Sequence, residues 1–353
     1  MRSALRTVRR CCLVLFFVAA SSRAGWVEAH GVTLDIYHPL PADSVFHTAF
    51  LVNWAQKVEK ESGGRLHFHL HPAADVTASN AGLYEQLVEG QADIVWTPIK
   101  SSVDHLPRLA PFEFPFTVNH AQGASRALAE YVRVNDLAER DFDGVRLLAV
   151  HVSDGSQLHL RSATQSPPTD NTQLRVAVFT PVDAELVSAM GWTPMESQPA
   201  QCVEALNAGS IDGVLSPWER LSAPSIDRAT HSHFEFGSSN IGVTTTLFVL
   251  AMSASSYRGL ADDLKAVINA NSGIETAAWL GRVFDEAAGA ARKSAIERGD
   301  VVREFAPAEQ EPWRRAGQIV TDARLKAAEQ AGIRATLLQD SARKYLQEFD
   351  RSK

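Results

Sequence analysis

Three histidines at alternate positions, His67, His69 and His71, share one face of a strand-like run. Imidazoles so placed could in principle reach one metal ion. A third ligand at this spacing splays along the strand, however, and no acidic residue lies beside the three in sequence. Opposite Leu66, Phe68 and Leu70 they fit better as the polar face of a half-buried strand. A second candidate is Arg175, whose guanidinium offers parallel donors that match a carboxylate and stays charged when desolvated. Taken alone, an arginine is more often paired structurally than engaged with a ligand. HExxH, GxSxG, P-loop and GxGxxG elements are all lacking, so an enzymatic reading has little to stand on.

The elements that position these groups alternate. Val32 to Tyr37 is strand-like. After Pro39, Pro41 and an Asp43-Ser44 cap, Val45, Ala49, Val52 and Val58 fall at helical spacing until Gly63-Gly64 stops the helix. Arg65 to His71 then alternates as a strand. Leu83 to Glu89, Ala124 to Glu139 and Pro181 to Met190 have helical patterns, and Ala92 to Trp96, Val145 to Val150 and Leu174 to Val178 have strand patterns. This order predicts an α/β fold with mostly parallel sheets, which bind ligands beyond the carboxyl ends of their strands. Past Met252 the composition predicts helices over Leu260 to Ala270, Glu275 to Arg298 and Glu309 to Gln330. The middle one would be roughly 36 Å long, enough to lie across two lobes.

Length and charge narrow the class. The 353 residues, 45% of them hydrophobic, suit two units of ordinary domain size. Arginines at positions 2, 6, 9 and 10, an apolar run from Cys11 to Ala20 and the small residues Ser21, Ser22 and Ala24 predict a secretory signal peptide over residues 1–24. Arg9-Arg10 leaves the export route open between the general and twin-arginine systems. Cleavage there removes five arginines and no acid, leaving a net charge of about -12, and nucleic acid is not an expected partner. Cys202 is then the last thiol, inside a predicted helix like a small core residue, and no intramolecular disulfide can form.

The most informative pattern is internal. Leu83 to Pro98 (LYEQLVEGQADIVWTP) aligns without a gap to Cys202 to Pro217 (CVEALNAGSIDGVLSP) at an offset of 119. Glu85, Leu87, Gly90, Asp93, Val95 and Pro98 match Glu204, Leu206, Gly209, Asp212, Val214 and Pro217, and Thr97 faces Ser216. Each copy makes sense as a helix, a glycine at its end, a short buried strand and a proline. Two copies predict two similar halves, with Thr97 and Ser216 at the carboxyl ends of equivalent strands facing one cleft.

The stretches ESGGRLHFHLHP, YEQLVEGQADIVWTP, FEFPF, HVSDGSQLHLRS, QLRV and VEALNAGSIDGVLSPWE, in this order, resemble the DctP-like solute receptors of tripartite ATP-independent periplasmic (TRAP) transporters. The resemblance implies a periplasmic two-lobed binding protein with a central cleft and a long helix spanning both lobes. Such a protein captures a small organic acid and delivers it to small and large membrane subunits, with no catalysis. It further implies a ligand carboxylate on Arg175, the arginine of the family's Lys-x-Arg-Val motif, and contacts from Ser216 and Trp218 in one lobe and Trp96 and Thr97 in the other. The tryptophans would form an aromatic wall for an apolar ligand body. Phe179 would add bulk, and His38 completes the candidate set. Gln157 is a further candidate, and the second arginine of some acid-sugar receptors would fall near Gly155 to Gln157, where this chain has no cation, which argues against sialic-acid-like specificity.

The implied boundaries are lobe 1 at 25–152 plus about 243–280, lobe 2 at 153–242 plus about 281–335, and a C-terminal helix at 336–353. No cofactor or protein metal site is expected, and a metal ion accompanying the ligand stays open, as do ligand identity and oligomeric state. Two alternatives are a secreted hydrolase or metal enzyme using the histidine strand, and a receptor that presents its ligand to a sensor kinase.

Overall fold

Among the described residues, short apolar runs become eleven strands: β1 (Val32–Tyr37), β2 (Leu66–His71), β3 (Ile94–Pro98), β4 (Val145–Val152), β5 (Gln157–Leu160), β6 (Arg175–Val178), β7 (Thr193–Glu196), β8 (Gly213–Ser216), β9 (Ser232–Glu235), β10 (Leu247–Ser253) and β11 (Val301–Glu304). The computed structural model describes residues 31–72, 82–99, 106–168, 173–222, 225–237 and 242–350, so the segment read as a signal peptide lies outside the described residues. The strands form two sheets, ordered β2-β1-β3-β10-β4 and β11-β9-β5-β8-β6-β7. Read from β2 and from β7, both begin with a parallel trio and continue through an antiparallel strand.

The repeat explains that likeness residue by residue. Gly90 (φ 75°) and Gly209 (φ 70°) take the left-handed conformation that ends each helix. Asp93 then accepts the Asp35 amide of β1 at 3.0 Å, and its counterpart Asp212 accepts the Arg175 amide of β6 at 2.9 Å. One carboxylate thus ties each repeat strand to its parallel neighbour.

The chain crosses between the sheets from β4 to β5, from β9 to β10 and again from β10 to β11. The first two connections lie against each other through Ser153 N–H to Thr246 O (2.9 Å), Ser156 N–H to Thr244 O (2.8 Å) and Val243 N–H to Ser156 O (2.9 Å). Gly155 and Gly242 meet there so closely that a Cβ on Gly155 would sit 2.3 Å from Gly242 Cα.

The helices are α1 (Val52–Glu61), α2 (Leu83–Val88), α3 (Ala121–Val134), α4 (Leu137–Asp141), α5 (Pro181–Ala189), α6 (Pro199–Ala208), α7 (Trp218–Leu221), α8 (Ala254–Gly259), α9 (Asp262–Ala270), α10 (Ile274–Arg298), α11 (Pro307–Gln330) and α12 (Ala335–Asp350). The expected single helix Ala124 to Glu139 is broken between α3 and α4, where Asp136 has φ 51°. The expected apolar face of the first helix is also corrected. Val58 is buried as expected, but Val45 is 51% exposed and Phe46, Phe50 and Trp54 supply the rest of the buried face, because the larger rings remove more apolar area from water.

The long helix α10 spans two cores. Ala277, Leu280, Val283 and Phe284 pack with Leu34, Ile36, Trp96 and Leu250 of the first sheet, whereas Ala288 and Ala295 pack with Ala177, Val214 and Trp218 of the second. Asp285 accepts the Ala121 and Gln122 amides at the start of α3, and Arg292 grips Glu235 of β9 at 2.7 and 2.8 Å. No described helix is long and apolar enough to cross a membrane.

Candidate functional site

β3 and β8 end in the paired hydroxyls. Thr97 and Ser216 are both buried, and each donates a long bond to the following proline carbonyl, Thr97 to Pro98 O at 3.4 Å and Ser216 to Pro217 O at 3.3 Å. Gln157 lies across from Ser216 in the ladder and accepts the Phe236 amide at 3.0 Å. His38 follows β1, is buried, and lies 2.8 Å from His47 through ring nitrogens. Burial and the His47 charge hold its pKa down at about 3, so it is neutral and supplies no cation for a carboxylate.

Arg175 must be corrected. It opens β6 at the amino end, away from the strand ends where a ligand is expected. Its Nε and Nη2 hold Asp212 in a fork at 3.0 and 2.9 Å, and Nη2 also donates to Gly209 O at 2.9 Å. Asp35, which its counterpart Asp93 ties in the first sheet, occupies the equivalent place. Arg175 therefore belongs to the repeat's strand tie.

The aromatic wall is corrected too. Trp96 is 1% exposed, stacks with Phe46 and Phe248, and donates Nε1–H to His151 Nε2 at 2.8 Å. Trp218 is 1% exposed in a different core, lies against His159 and His233, and donates Nε1–H to Glu235 at 3.0 Å. Each ring anchors its own sheet to α10. The histidine strand lies at the outer edge of the first sheet, where His71 meets Asp35 at 2.7 Å and stacks on Tyr37. That acid was distant in sequence. Cys202 is buried in α6, and burial raises its thiol to about 11.

A different group stands at the carboxyl ends of β6 and β8. Phe179 follows β6 and stays partly exposed, and the Arg220 guanidinium of α7 lies over its ring at 5.0 Å. Protein surrounds Arg220, yet it keeps partial solvent contact. Burial lowers its pKa, while Glu219 and Asp183 pull the other way without reaching ion-pair distance. Among the described residues its guanidinium has no hydrogen bond or ion pair. Asp183 is held by the Thr244 hydroxyl of the crossing, and burial raises its pKa. Burial lifts Glu219 to about 8 and Asp154, on the crossing, well above its usual range. Glu219 Oε2 and both Asp154 carboxylate oxygens are buried without hydrogen-bond partners among the described residues.

Sequence reasoning missed Arg220 because the matched stretch stops at Glu219. The available signal was a basic residue just past the end of a repeat strand. A groove of about 510 Å³ lined by Ala184, Glu185 and Ile319 lies elsewhere, among α5, β7 and α11.

A family model described as bacterial extracellular solute-binding protein, family 7, matches residues 36–327. No curated protein sequence matches the chain. Among solved structures, a TRAP solute-binding protein from Rhodoferax ferrireducens with copurified benzoate is 30% identical, with a TM-score of 0.83 over 91% of this chain and 99% of its own. A marine-metagenome TRAP protein specific for aromatic acids, with 3-hydroxybenzoate, is 27% identical with a TM-score of 0.84 over 91% and 99%. A Bordetella bronchiseptica protein with bound mandelate is 23% identical, with a TM-score of 0.79 over 90% and 100%.

Proposed function

This chain belongs to family 7 of the bacterial extracellular solute-binding proteins, and from that premise we propose that it captures a small carboxylate in the periplasm and passes it to the small and large membrane subunits of a TRAP transporter. The family and its solved members bind solutes rather than transform them. The observation that carries the reading is the doubled strand order joined by two antiparallel connections at Gly155 and Gly242. Two similar halves joined by these paired crossings and bridged by a long helix suit closure around a ligand at the strand ends.

The two relatives at 27% and 30% identity hold aromatic acids, which favours that class here. Calorimetric titration of the purified protein with benzoate, 3-hydroxybenzoate, mandelate and galactonate tests the reading. Saturable micromolar or tighter binding of at least one acid, without turnover, is expected. No binding across the panel, or conversion of an acid to product, refutes it.

A further inference from the structure

We propose that Arg220, seated on the Phe179 ring, anchors the ligand carboxylate. The inference rests on the receptor reading above and names the charge that reading requires.

Three observations converge. An enclosed guanidinium carries five N–H donors and cannot shed its charge, so leaving it without an anion is costly. Arg220 has none within ion-pair distance among the described residues, whereas Arg175, Arg292 and Arg303 each grip an acid. The two acids that pull on Arg220 do not discharge it. Asp183 is engaged by Thr244 and capped through its amide by Thr180, and burial holds Glu219 toward its neutral form. The place itself is the third observation: Phe179 follows β6, α7 follows β8, and Asp183 in the neighbouring α5 is bonded to Thr244 of the crossing.

The chemistry that completes this site is a planar carboxylate taking two parallel donors from Arg220. Phe179 beneath the guanidinium supplies an apolar surface and holds its plane by a cation–π contact. A monocarboxylate with a flat apolar body satisfies both, and a polyhydroxylated acid would desolvate its hydroxyls against the ring.

The test uses the full purified protein with benzoate as probe and benzamide as its neutral isostere. Wild-type protein should prefer benzoate to benzamide by about 100-fold or more, and to galactonate. Truncating one member of a buried charge pair typically costs enough to lower affinity 30-fold or more. Arg220→Gln should therefore lose at least that for benzoate and nearly all preference over benzamide. Arg220→Lys should fall between, having charge without the fork. Arg175→Ala should bind benzoate like the wild type. Thermal melts establish that each variant is folded. Should Arg220→Gln unfold, Arg220→Lys and the wild-type benzoate-to-benzamide ratio carry the decision. Unchanged benzoate affinity in Arg220→Gln or Arg220→Lys, or a wild-type ratio near one, overturns the inference while leaving the receptor reading intact. A wild-type protein that binds no acid overturns both.

Discussion

Substituting Gly155 with Ala strikes the close approach of the β4–β5 and β9–β10 connections at Gly242. The added methyl would sit 2.3 Å from Gly242 Cα, whereas ordinary contact begins at 3.4 Å, so one strand must withdraw by roughly 1 Å. Neither glycine has positive φ, so the cost is steric rather than conformational. Ser156 N–H to Thr244 O, at 2.8 Å, and Val243 N–H to Ser156 O, at 2.9 Å, would both stretch beyond hydrogen-bond length. Two buried backbone bonds lost or left unsatisfied cost about 2 to 5 kcal/mol together. Urea denaturation followed by circular dichroism measures this as a lowered midpoint at constant slope. Gly242→Ala should behave alike, and the double variant should cost less than the sum, because both remove the same contact. A loss below about 0.5 kcal/mol, or strict additivity, would refute the close crossing.

Three further outcomes follow from the same geometry. Gly281→Ala puts a Cβ 2.4 Å from Ala121 O where α10 meets α3 and should destabilise by about 1 to 3 kcal/mol, whereas Gly289→Ala meets nothing within 4 Å and should stabilise by about 0.5 to 1 kcal/mol; melting temperatures separate them. Glu219 keeps its proton to about pH 8 in the fold but releases it near pH 4.5 when unfolded, so stability falls as pH rises across that window, and Glu219→Gln should flatten the decline by a few kcal/mol in urea midpoints from pH 5 to 9. Buried His151 is held neutral down to about pH 3, so its contribution is present above about 6.5 and drains by up to about 1.4 kcal/mol per pH unit below that. His151→Gln, which keeps an acceptor for Trp96, should lessen the acid sensitivity in the same assay.

What the sequence made legible was what repetition encodes. The LYEQLVEGQADIVWTP and CVEALNAGSIDGVLSP copies revealed β3 and β8 as equivalents, and the alanine-rich stretch revealed α10 to within a residue. The site was less legible because a side chain's partner lies in another element. Arg175 had the right chemistry on the right strand, and only the fold shows that Asp212, 37 positions away, accepts its fork. The same limit misplaced Trp96 and Trp218, whose hydrogen-bond acceptors His151 and Glu235 are distant or across the sheet. Arg220 went unnoticed for the opposite reason: what distinguishes it is a missing neighbour, and sequence cannot display that.

The place of β10 has a consequence for how the protein is made. It is the strand that joins β3 to β4, yet it is specified by residues 247–253. During synthesis from the amino end, the first sheet has no way to close until those residues have left the ribosome, and its core waits longer still for Leu280 and Phe284. The opening two thirds of the chain must therefore emerge without a finished domain. A chain whose first sheet waits on its last third completes that core late, after nearly all the sequence before it has been made.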